Sequence, residues 1–256
     1  MRHLALLLPL LATSAHAGET CVAMPPVTAG SATVAETELS RLYKDGIHVL
    51  ERAPSLSETL AMRSPELCHA SQLDGAHGYF DMDRNRIYVS PALPNAMQLA
   101  VFVHEVRHLH QIQTGLCPSD ALSMTEYAQA VFALEADASA ISIMIAWDLK
   151  EQGDPTLWDA LASWETQSDI ASRFADEMNA SGDPGAAVSA AFDQWYASDT
   201  RRSRYYLSTC SEYLDRQDRT HAIPRYLHLP AAFYAELCKL PDGEDYPCAA
   251  PNRAGR

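Results

Sequence analysis

Positive charge is scarce in this 256-residue chain. Nineteen Lys and Arg stand against 33 Asp and Glu, giving a formal net charge of −14 and a pI near 5.0. A nucleic-acid binder needs a basic face to neutralise phosphates, so that class is excluded, and so is a polybasic membrane-surface role. Glycine is sparse as well, with 11 residues and no Gly-rich phosphate loop. No Gly-x-Ser-x-Gly elbow supports a serine hydrolase. None of the six cysteines forms a Cys-x-x-Cys pair, which argues against a thiolate metal site or a thioredoxin-like redox centre. Beyond the N-terminus no stretch reads as a membrane span. Internal repeats and low-complexity linkers are absent too. What remains is 47% hydrophobic, which excludes disorder over the whole length.

The first 17 residues have the form of a secretory signal peptide. A short positive start precedes an apolar run, Leu4 to Ala12, that is too short to span a bilayer, and Ala15-His16-Ala17 offers a cleavage site. The expectation is an exported chain, periplasmic or extracellular, folded from residues 18–256. Export gives the cysteines a meaning. Cys21, Cys68, Cys117, Cys210, Cys238 and Cys248 are an even set in an oxidising compartment, so three disulfides are expected. Cys238 and Cys248 are placed to staple the C-terminal tail, and Cys21 to tie down the N-terminus.

The pattern along the chain is mostly helical. Leu39, Leu42, Tyr43, Val49 and Leu50 mark an amphipathic segment over about 35–52, and the Ser-rich stretch 53–77 reads as irregular. Tyr79-Phe80 and Ile87-Tyr88-Val89 flank a polar Asp83-Arg84-Asn85 turn, a hairpin signal. Asn95 can cap a helix that runs to Thr114, before Gly115. Ser123-Met-Thr-Glu126 has the form of a capping box opening a helix to about Lys150, apolar nearly all round and therefore expected in the interior. Asp154-Pro155 and Asp183-Pro184 start two more helices; another covers about 200–214, and a short one follows Pro230. The expected fold is α+β and predominantly helical. A single domain holds a core over about 78–150, a helical part over about 154–240 and a tail over 241–256.

Within the segment after the hairpin stands His104-Glu105-Val-Arg-His108. Residues four apart lie one turn above each other on a helix, so His104 and His108 can offer imidazole nitrogens to one ion. Glu105 sits beside them, placed to take a proton from water; this is the zinc-hydrolase pattern. A catalytic zinc normally takes three protein ligands. The third is sought on the interior helix, where a carboxylate is costly unless paired or bound to metal. Glu135 lies on a stripe of small residues that allows close approach. Asp137 points roughly 200° round the helix, so the two cannot face one ion. Glu135 is the expected ligand, with Asp137 as a supporting partner or alternative ligand, while Glu126 is accounted for by the capping box.

The sequence His104-Glu105-x-x-His108 with Glu135-Ala-Asp-Ala downstream resembles the gluzincin-type zinc metallopeptidases. It is also similar to a bacterial family of uncharacterised metallopeptidases. The resemblance spans about residues 78–145. It implies a zincin-like core, with a small hairpin or sheet before the motif helix, and a peptide or protein substrate. Carried over position by position, His104, His108 and Glu135 bind Zn2+ and Glu105 is the general base. It also implies that the strand before the motif helix, here Arg86–Ser90, pairs with an extended substrate. At the third ligand the chain departs from the best-known gluzincins: Glu135 stands in neither an Asn-Glu nor a Glu-x-x-x-Asp pattern.

A tetrahedral oxyanion needs a donor opposite the metal. Tyr205, Tyr206, His221 and His228 are the candidates. His110, two residues past His108, points to another face of its helix. Asp81-Met-Asp83-Arg-Asn85 begins like a calcium loop, but Arg86 stands where Gly is needed. Peptide hydrolysis leads the functional reading. The alternatives are a non-catalytic scaffold or binding protein and a metal-dependent amidase acting on a non-peptide or cell-wall amide.

Overall fold

A computed structural model describes residues 19–23, 32–71, 73, 76–221, 223 and 225–249. The signal-peptide segment lies outside the described residues. Four strands form one sheet: β1 (Glu19–Val22), β2 (Glu66–Ala70), β3 (Gly78–Asp81) and β4 (Arg86–Val89), in the order β1-β2-β4-β3. The hairpin expected at Tyr79-Phe80 and Ile87–Val89 is β3 and β4, antiparallel, with Tyr79 opposite Tyr88. β2 runs parallel to β4 and antiparallel to β1.

Helices supply the rest: α1 (Val34–Leu50), α2 (Pro54–Arg63), α3 (Asn95–Gln113), α4 (Met124–Glu151), α5 (Thr156–Ser163), α6 (Ser168–Ser181), α7 (Pro184–Trp195), α8 (Asp199–Thr220) and α9 (Phe233–Leu237). The molecule is predominantly helical with a small sheet ahead of its main helices. The stretch 53–77 is not irregular throughout, since residues 54–63 and 66–70 are ordered into elements. Pro54 opens α2 at a first-turn position where its missing N–H costs nothing, and β2 follows. Residues 168–181, given no element by the sequence pattern, form α6. Two starts also differ in detail. Pro94 rather than Asn95 occupies the cap of α3. At α4, Ser123 Oγ accepts from the Glu126 N–H, but the Glu126 carboxylate turns away to accept the Leu229 N–H at 3.0 Å, so the box is only half formed.

α4 lies at the centre, packed against α3, α5, α6, α7 and α8. By length and composition it could cross a membrane, which corrects the reading that no such segment exists. With 78% of its apolar window buried in the fold, it is a core helix here. α3 packs against β3 and β4 of the sheet and against α1. Gly78 lets β3 approach so closely that an added Cβ would lie 2.4 Å from Val101, and at Gly46 of α1 it would lie 2.2 Å from Phe102. These two close approaches set α3 against its neighbours.

Two disulfides form, Cys21–Cys68 across β1 and β2 and Cys238–Cys248 in the C-terminal segment. They fit the staples expected at each end and an oxidising environment. The expected third bond is absent: Cys117 and Cys210 are free thiols.

Candidate metal centre

α3 and α4 pack face to face and bring three donor groups together. His104 Nε2 and His108 Nε2 lie 3.0 Å apart. Glu135 reaches both, Oε2 to His104 Nε2 at 3.4 Å and Oε1 to His108 Nε2 at 3.3 Å. Ligand atoms at tetrahedral corners about 2.0–2.1 Å from a zinc ion are about 3.3–3.4 Å apart. The three donors therefore span close to one face of such a tetrahedron, and the residues present fit the ion. Ala138 and Ser142, one and two turns beyond Glu135, are small and buried, which lets the helices come this close.

The three side chains are partly buried and line a cavity of about 360 Å3. Glu105 lines the same cavity and is only 6% exposed. Burial pushes its carboxyl above the ordinary range; the two imidazoles and a hydrogen bond from the Phe80 backbone act in the opposite direction. Burial also works against a charged His108, but Glu135 beside it carries the imidazole up to about 9. Glu135 in turn is held well below the carboxylate range, its own burial outweighed by the two histidines. Two imidazoles converge here on a carboxylate that stays ionised, as a cation site requires.

Of the four oxyanion candidates, only Tyr205 lines the cavity. It projects from α8, hydrogen-bonds Glu135, and has a phenol raised well above its usual range by burial and then by that carboxylate. Tyr206 faces out at 41% exposure. His221 ends α8 in the left-handed region at φ 49°, exposed. His228 is exposed, 3.6 Å from Glu126. These three are not brought to the cavity.

Asp137 is fully buried and turned away from the three donors. Its oxygens receive Arg107 Nε at 2.7 Å, Arg107 Nη2 at 2.9 Å, Tyr246 OH at 2.7 Å and Gln111 Nε2 at 2.7 Å. Sequence reasoning placed Asp137 beside the site but found none of these partners. His110 is half-buried, with Nδ1 facing Arg107 Nη1 at 3.3 Å.

β4 is flanked by β2 and β3 on both sides, so its backbone groups are engaged. This overturns the expectation that Arg86–Ser90 pairs with substrate. β3 is an edge strand, and its Gly78, Tyr79 and Phe80 line the cavity.

The sequence profile of the Putative metallopeptidase family (DUF6782) matches residues 14–248. The chain belongs to this family. Membership agrees with the resemblance carried by His104, Glu105 and His108, and it implies a metal cofactor. No curated protein and no solved structure matches the chain. A metallopeptidase acts on peptides, and His104, His108 and Glu135 form a group that could hold a metal ion.

Proposed function

We propose that this protein is an exported, zinc-dependent peptidase, a single domain after signal cleavage. The observation that carries the reading is the spacing of 3.0–3.4 Å among His104 Nε2, His108 Nε2 and Glu135, with Glu105 in the same cavity. When bound, zinc supplies positive charge that acidifies water and polarises a carbonyl. His104, His108 and Glu135 would hold it. Glu105, its carboxyl raised by burial, takes a proton as water oxygen bonds to the carbonyl carbon. It delivers that proton to the amide nitrogen as the C–N bond breaks. The Tyr205 phenol donates to the carbonyl oxygen as negative charge builds there. An extended substrate adds its backbone to the edge of β3, whose Gly78, Tyr79 and Phe80 line the same cavity as the donor cluster.

The test is hydrolysis of a peptide library by wild type and Glu105→Gln, each checked for zinc. The expected result is cleavage by wild type and a loss of about 10²–10⁴-fold in the variant with zinc retained. Equal rates in both would remove Glu105 from its assigned role.

A further inference from the structure

The hydrogen bonds behind His108 carry information about the ring itself. Gln111, one turn further along α3, is 1% exposed. Its Nε2 points to Asp137 Oδ2 at 2.7 Å and to the Leu134 carbonyl at 3.0 Å. Both of those are acceptors only, so the NH2 end of the amide must face them and the oxygen end must face the other way. That oxygen, Oε1, lies 2.8 Å from His108 Nδ1. An amide oxygen cannot donate, so Nδ1 carries a proton. The lone pair of the neutral ring then sits on Nε2, the nitrogen that faces His104 and Glu135.

We propose that Gln111, locked by Asp137, is the positioning residue that fixes His108 in the tautomer able to bind metal through Nε2. The inference rests on the metal reading given above. Asp137 can hold the amide in this sense because it is held itself. Arg107 grips both its oxygens and also donates to the Lys239 carbonyl at 2.9 Å, and Tyr246 OH donates from the C-terminal segment. Tyr246 lies inside the loop closed by Cys238–Cys248, and its N–H bonds the Cys238 carbonyl at 3.1 Å. Residues more than 100 positions from the motif thus reach His108 through two side chains. Partners of this kind, which orient a metal-binding histidine from behind, typically matter 10–100-fold to affinity.

The test compares zinc affinity of wild type and Gln111→Leu by chelator competition, with far-UV circular dichroism as the check on folding. Leu keeps the volume and removes the acceptor. The expected result is a folded variant that binds zinc about 10–100-fold more weakly. A folded variant with unchanged affinity overturns the proposal. Nitrogen-15 NMR on zinc-loaded wild type tests it without any substitution. The proton is expected on His108 Nδ1, with Nε2 bearing none; zinc on Nδ1, or a proton on Nε2, overturns it. Absence of zinc from wild type would instead refute the metal reading, so the two failures are distinguishable.

Discussion

Arg107 and Asp137 form a two-point ion pair almost sealed from solvent, one residue from His108 on α3 and two from Glu135 on α4. The pair locks the two helices that carry the donor cluster in register. Removing one partner of such a pair leaves an uncompensated buried charge, at a cost of about 3–5 kcal/mol. Asp137→Asn should lose that much in urea unfolding measured with a chelator present. A loss under about 1 kcal/mol would show that the Arg107 charge finds other compensation.

His110 gives the fold a pH dependence of known sign. Burial, then the neighbouring Arg107 guanidinium, hold it down at about 4, against an ordinary value of 6.5. Between those values the unfolded chain binds a proton that the folded chain refuses. Stability from this group is therefore full above pH 6.5, falls as pH drops through the window, and levels off below about 4. Urea unfolding at pH 4.5 and pH 7 should show a smaller difference in His110→Gln than in wild type.

The disulfides should differ in weight. Cys21–Cys68 closes a loop of 47 residues and Cys238–Cys248 one of 10. On the chain-entropy account their loss costs about 4 and about 2–3 kcal/mol respectively. Paired Cys→Ser variants compared by denaturant unfolding check this order.

The motif was legible because its logic is local. His104 and His108 share a face by spacing alone, and Glu135 stood out as a carboxylate on an apolar helix. The hairpin at Tyr79 and Tyr88 was legible for the same reason. α2 was missed because Ser55, Ser57 and Thr59 blur its pattern, although Pro54 marks its first turn. The partners of Asp137 were illegible for a different reason. Tyr246 and Lys239 lie more than 100 residues away and meet Asp137 and Arg107 only once the chain folds. The one local clue was Gln111, one turn beyond His108. Substrate pairing by β4 failed because sequence shows a strand but not its neighbours, and β2 occupies the side left free.

Tyr205 tests the chemistry separately from the metal. Tyr205→Phe keeps the ring that packs on Trp195 and removes the hydroxyl. The expected outcome is full zinc content with kcat reduced about 10²–10³-fold. Steady-state kinetics on a peptide cleaved by wild type measure it, and an unchanged kcat would return Tyr205 to a packing role.

The central claim is that His104, His108 and Glu135 hold one zinc ion. Metal analysis of extensively dialysed protein, wild type beside His108→Ala and Glu135→Gln, tests it most directly. The account predicts one zinc per wild-type chain and far less than one in each variant. Zinc absent from wild type, or equally abundant in all three, would contradict it.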